Sequence, residues 1–229
     1  LDMEALDLQA FDPGALVWRN GRGSIVSDPF RRPLSTIATA TAPIGSLLDK
    51  ARIARLRHRL RGVHPMQLLQ GADASTRQAL ADDGFSDTII QRFFTPLLGG
   101  IQLDPDLSDS RRMFDIILRM LADGDSAVPS GGMQAIPDQL TAQLPAGSIH
   151  LGARIMRTTD RSVAVDEGPE IRAAAVVVAT EGPMASSLLG LPPVESKSVG
   201  AVYFAAPAPP VDSKFVILDG TGAGPVLNV

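Results

Sequence analysis

The chain has 229 residues, 45% of them hydrophobic and 20% charged, enough apolar material for one large domain or two small ones. A formal net charge of −4 supplies no field that attracts nucleic acid, and the absence of cysteine excludes disulfides, thiolate metal sites and a cysteine nucleophile. No run approaches the roughly 18 consecutive apolar residues that a membrane helix needs, so no transmembrane segment is expected; the absence of cysteine fits a cytoplasmic protein, which is the expectation. The start LDMEALDLQAF lacks the basic head and apolar core of a signal peptide. With Leu1 at one end and the apolar GPVLNV at the other, the chain reads as an internal stretch of a longer protein.

The first predicted element is a hairpin over 15–27, ALVWRNGRGSIVS. Leu16, Trp18, Ile25 and Val26 flank Asn20-Gly21, a dipeptide that accepts the positive φ angles of a two-residue turn. Prolines break SDPFRRP (27–33) into a loop. From about 46 to 122 the pattern turns helical. In SLLDKARIARLRHRLRG, Leu47, Leu48, Ala51, Ala54 and Leu60 are placed near one face and Gly62 closes the helix. SDTIIQRFFTPLL (86–98) is helical until Pro96. SDSRRMFDIILRMLADG (108–124) is predicted with Ser108 as N-cap, a stripe of Met113, Ile116, Ile117, Met120 and Leu121, and Gly124 as its stop.

After residue 128 the chain changes character. IPDQLTAQL (136–144) is a short helix with Pro137 in its first turn. Successive strands are predicted at 148–159, 162–167, 170–173, 174–180, 198–206, 214–220 and 225–229, and the proline-rich 206–211 is a stiff connection. The order implies an α+β fold. Three regions are expected: a mainly helical cap with its N-terminal hairpin over 1–127, a β-rich region over 128–190, and further strands over 191–229.

Conventional catalytic signatures are missing: no nucleophile elbow, no phosphate loop with GK[ST], no HExxH. His58, His64 and His150 sit in unrelated segments, so no metal site is assigned. DGTGAGP (219–225) is followed by proline and a strand, not a helix, and reads as a glycine-rich turn. The basic run Lys50, Arg52, Arg55, Arg57, Arg59, Arg61 alternates around its helix instead of forming one stripe. It is read as a solvated face paired with carboxylates; peripheral contact with an anionic membrane through 50–61 is the alternative.

Two segments stand above this background, VPSGGMQAIPDQLTAQLPAGSIHLGARI (128–155) and AAAVVVATEGP (173–183). With RFFTPLLGGIQLDPDLSDSRRMFDIILRML (92–121), FDPGALVWRNGRGSIVSDPFRRP and FVILDGTGAGPVLNV, they resemble, in order and spacing, FAD-dependent amine oxidases and phytoene desaturase-like oxidoreductases. The resemblance spans nearly the whole chain. It implies a part of an α/β FAD-binding fold over 128–190, joined to a helical substrate-binding cap over 1–127 and to strands of the substrate domain over 191–229. The family's glycine-rich dinucleotide fingerprint lies before this stretch and another flavin-contacting motif lies after it. It implies cofactor contacts by the backbone of Ile155 and by Ala179, Thr180, Glu181 and Gly182. Many relatives carry proline directly after the Ala-Thr pair, where this chain has Glu181.

The helical cap is the expected substrate side, with Phe93, Phe94, Leu97, Leu98, Ile101 and Met133 as its candidate lining; at helical spacing such residues are more often plain core. The implied reaction is oxidation of an amine or a C–C bond of a small apolar substrate by hydride transfer to FAD, with no catalytic side chain assigned. FAD binding is expected in the full-length parent, and weakly or not at all in this chain alone. The rival reading is a non-catalytic module that uses the same apolar cap for a ligand or a protein partner.

Overall fold

The computed structural model describes residues 1–27, 36–209 and 211–229, with the side chains of 36–38 left aside. The loop expected at 27–33 therefore lies outside the described residues beyond Ser27, as does position 210 of the proline-rich connection. In chain order the strands are β1 Leu8–Ala10, β2 Gly14–Arg19, β3 Arg22–Ser27, β4 Ala127–Pro129, β5 Ile155–Thr158, β6 Ser162–Val165, β7 Glu170–Arg172 and β8 Val216–Asp219. The helices are α1 Thr36–Thr41, α2 Leu47–Arg61, α3 Pro65–Leu68, α4 Thr76–Asp82, α5 Asp87–Ile89, a π-type helix Ile90–Gly99 (π1), α6 Gly100–Gln102, α7 Arg111–Asp123, α8 Ala135–Thr141 and α9 Gly182–Leu189. The fold is α+β. Contacts divide it into two units, Asp2–Ile136 with Tyr203–Val229, and Pro137–Val202 with Leu1.

In the larger unit, β2 pairs antiparallel with β3 in a register that ends at Arg19↔Arg22. Two residues bridge them, Asn20 at φ 51 and Gly21 at φ 74, the backbone a tight hairpin demands. On its other edge β2 runs parallel to β8, and residues 227–229 return antiparallel onto β8. The turn between them is glycine-rich, as expected, and is tied by Asp219 Oδ1 accepting from Thr221 N–H at 2.9 Å. Gly14 opens β2 at φ 133, and a Cβ there would lie 2.5 Å from Val26 O. Gly14→Ala is expected to lose about 1–3 kcal/mol in urea denaturation, because both the backbone angle and the strand contact resist a side chain.

The core of this unit joins Val17, Val26 and Leu218 of the sheet to Leu56 and Leu60 of α2, Phe94 and Leu98 of π1, and Phe114 of α7. Phe94 is its hub. Its ring stands edge-to-face with Phe85, Phe93 and Phe114 at centroid distances of 5.0, 5.3 and 6.1 Å.

Several helix expectations are corrected in detail. Ser46 caps α2 and Gly62 ends it, but the face turned inward carries Leu56, Leu60 and Asp49, while Leu47 and Leu48 are exposed. The N-cap of α7 is Ser110, whose Oγ accepts from Arg112 N–H, while Ser108 donates to Asp104. Phe114 is the buried residue of that helix's apolar set, and Met113 and Met120 of the expected stripe are about half exposed. Helix does not stop at Pro96. In an α-helix its ring would press on the carbonyl of Arg92; the wider π turn accommodates it, and the helical run continues to Gln102. On the basic helix, Arg59 chelates Asp83 at 2.9 and 2.8 Å and Arg61 reaches Asp123 at 2.8 Å, the carboxylate pairing expected of a solvated face. Among the described residues no helix is long and apolar enough to cross a membrane.

The smaller unit holds the antiparallel sheet β5-β6-β7 and the helix α9 packed on β5. Here the strand expected at 174–180 is absent, and Val177 is 87% exposed. An apolar run becomes a central strand only when neighbours pair with both of its edges, and among the described residues none pairs with this one. Val176 and Val178, on either side of Val177, are half-buried. The strand expected at 198–206 is likewise absent, with Tyr203 and Phe204 exposed. No hydrophobic side chain of Pro137–Val202 is buried.

Candidate functional site

A cavity of about 570 Å³ opens in the larger unit, within the size range of small-molecule sites. Each wall follows from the fold. The inward row of α2 supplies Ile53, Ala54 and Leu56, α7 supplies Leu118 and Leu121, and the hairpin supplies Ala15 and Val26. The long wall is the helical run from π1 into α6, which contributes Phe93, Phe94, Leu97 and Ile101. The widened turn that accommodates Pro96 also leaves the Pro96 carbonyl to accept from Asn228 Nδ2 at 3.2 Å. Asn228 lines the cavity as well. Gly100 makes room for it, since a Cβ at Gly100 would collide with the Asn228 amide.

The structure thus brings together four of the six residues expected to meet a substrate, Phe93, Phe94, Leu97 and Ile101. Leu98 is fully buried and backs this wall from within the core, while Met133 is exposed and stands apart from the lining. Sequence reasoning passed over Lys50, Arg57, Leu118, Leu121 and Asn228. One signal for the first two was available: Leu47, Lys50, Ala54 and Arg57 recur at helical spacing and share a face of α2.

Polar groups are few and local. Lys50 Nζ donates to Ala40 O at 2.6 Å and Ala42 O at 2.8 Å. Burial holds its pKa below the usual lysine value, against the opposing pull of the Asp49 charge. Asp12 accepts from Lys214 N–H at 3.1 Å, and Arg57 Nη2 donates to Ala122 O at 3.3 Å.

Beside the cavity, Asp49 sits fully buried and gathers two helix starts. Its Oδ2 accepts from Ser46 N–H at 2.8 Å and Ser46 Oγ at 2.7 Å, closing a capping box. The same carboxylate accepts from Ser86 N–H at 3.0 Å and Ser86 Oγ at 2.8 Å, and Ser86 is the N-cap of α5. Burial pushes this carboxyl up, but the Ser86 N–H, the two hydroxyls and the Ser46 N–H outweigh it and hold the pKa at about 2.

The residues expected to touch a cofactor lie in the smaller unit. Ile155 begins β5 and is half-buried. Ala179, Thr180, Glu181 and Gly182 are exposed and lead into α9, which packs on β5, so the two sequence segments belong to neighbouring elements. Glu181 occupies the N-cap position without a side-chain hydrogen bond. Among the described residues the backbone N–H groups of Ala179, Thr180 and Glu181 have no partner, so small residues here present open donors just ahead of a helix start. Among the described residues no group of three or more His, Asp or Glu side chains is placed to hold a metal ion.

In comparison with known proteins, the model of the family described as flavin containing amine oxidoreductase matches residues 5–228. No curated protein and no solved structure matches the chain.

Proposed function

The chain belongs to the flavin-containing amine oxidoreductase family, and on that premise we propose that its cavity is the substrate chamber of an oxidase or desaturase acting on an amine or a C–C bond of an apolar molecule. The observation that carries this reading is the cavity itself, enclosed chiefly by aliphatic and aromatic side chains of α2, π1, α6 and α7. A bound flavin, FAD in this proposal, supplies the hydride acceptor, which is why the protein needs no acid–base pair of its own. Phe93, Phe94, Leu97 and Ile101 bind the substrate by apolar contact, fix its orientation and keep water from the reacting carbon. The open main-chain donors of Ala179, Thr180 and Glu181, with Gly182 and the Ile155 backbone, fit a cofactor held by backbone groups.

We also read the phosphate-binding part of the flavin site as lying outside these elements. Support comes from the smaller unit, which leaves an apolar run unpaired and buries no hydrophobic side chain. The test is spectroscopic. The 229-residue chain, mixed with FAD and passed through a desalting column, is expected to emerge colourless. Stoichiometric yellow protein would show that the chain completes the site unaided. Expressed from a longer reading frame, the parent is expected to carry flavin absorbance that bleaches when an apolar substrate is added without oxygen. A parent without flavin would defeat the proposal.

A further inference from the structure

The apolar cavity carries two polar patches of different kinds. One is mixed in sign: Asp12, Arg57 and Asp125 line it. Phe11 N–H donates to Ser126 O at 2.8 Å and Arg57 Nη2 to Ala122 O at 3.3 Å, so these charges gather beside the C-terminal end of α7, where each has polar partners. The other patch is Lys50. It stands two helical turns from Arg57 on α2, about 10 Å at the usual rise per residue. Its ammonium spends two of its three donors on Ala40 O and Ala42 O and forms no ion pair among the described residues. Asp49, its sequence neighbour, is turned to Ser46 and Ser86. A cation on the wall of an apolar cavity, with one donor left over among the described residues, favours an anionic acceptor on the ligand.

We propose that the cavity takes an apolar chain ending in a carboxylate, with the carboxylate on Lys50 and the chain lying along Phe93, Leu97, Ile101, Leu118 and Leu121. This rests on the cavity being the substrate chamber and names the class of molecule it holds. An alkylammonium of the same length is the disfavoured ligand. At the Lys50 end it meets a like charge, and the two carboxylates of the other patch, Asp12 and Asp125, are already engaged with polar partners beside Arg57.

The experiment is calorimetric titration of the 229-residue chain, without flavin, with dodecanoate, dodecanol and dodecylamine below their micellar concentrations. Dodecanoate is expected to bind roughly tenfold tighter than dodecanol, the worth of one hydrogen bond to a charged group, and dodecylamine weakest. Lys50→Met, which keeps the apolar stem, is expected to erase the advantage of dodecanoate and leave dodecanol binding unchanged. Lys50→Gln retains a donor for the Ala40 and Ala42 carbonyls and serves the same comparison should the methionine variant fail to fold. Dodecylamine binding as tightly as dodecanoate overturns the proposal. So does failure of all three probes to bind, or a carboxylate preference that survives Lys50→Gln. Because no flavin takes part, a negative titration with a yellow parent rejects the carboxylate ligand alone, and a colourless parent with a positive titration rejects the flavin reading alone.

Discussion

Replacing Asp49 with alanine is expected to cost about 3–4 kcal/mol, a large share of the 5–15 kcal/mol that holds a typical domain folded. The loss has two sources. Two helix starts lose their common partner at once: the N–H groups of exposed Ser46 and half-buried Ser86, and both serine hydroxyls, lose the acceptor that the buried carboxylate gave them. Urea denaturation of the variant checks the size. Acid titration checks the cause. The carboxyl titrates near 3.8 when unfolded and at about 2 when folded, so its contribution is complete above the higher value and vanishes as pH falls through the lower. The shift corresponds to about 2 kcal/mol. Wild-type stability is therefore expected to drop by about that amount between pH 4 and pH 2, and Asp49→Ala to lack that part of the slope. A variant with an unchanged midpoint and an unchanged acid slope would show that the two helix starts do not depend on this side chain.

Phe94→Ala is expected to cost about 3–5 kcal/mol, the range for deleting a buried aromatic side chain. Its ring is 1% exposed and touches three other phenylalanines, so nothing nearby can collapse into the space without leaving its own neighbours. Phe94 also lines the cavity, so the deletion enlarges the chamber as well as loosening the core. Phe94→Leu, which retains most of the volume, is expected to lose less than half as much. Denaturant midpoints for the pair measure this; equal losses would show that ring packing is not what the site supplies.

How much of this was readable in advance depends on how local each determinant is. Asn20-Gly21 specifies its turn through two residues' own backbone preferences, and the hairpin follows. Gly62 ends α2 where expected, with an ordinary right-handed backbone. Where two candidates compete, local reasoning fails: Ser108 and Ser110 both suit a cap, both hydroxyls donate to an aspartate, and only Ser110 accepts from the helix start. The segment 174–180 fails for a different reason. Hydrophobicity describes what a strand would bury, while pairing depends on edges the segment does not carry. At the site, Phe93, Phe94, Leu97 and Ile101 were accessible because they cluster in sequence and the family resemblance points to them. Asn228 was not, since its place depends on a helix widened around Pro96 more than a hundred positions earlier, in a separation of 132. Lys50 was hidden by its company, one cation in a run of six whose other members read as solvent-facing.

The parallel pairing of β2 with β8 also bears on how the molecule comes into being. Ala15 lies opposite Val216, and Asp12 is bonded to Lys214 across 202 positions. During synthesis the first hairpin must wait, with one edge open, until almost everything between those residues has left the ribosome. Closing so long a loop is slow compared with making helices. Until then, Val17, which Leu218 will help to cover, stays a sticky surface on a nascent chain, so yield in cells should respond to chaperone supply and to growth temperature more than the finished protein's stability would suggest.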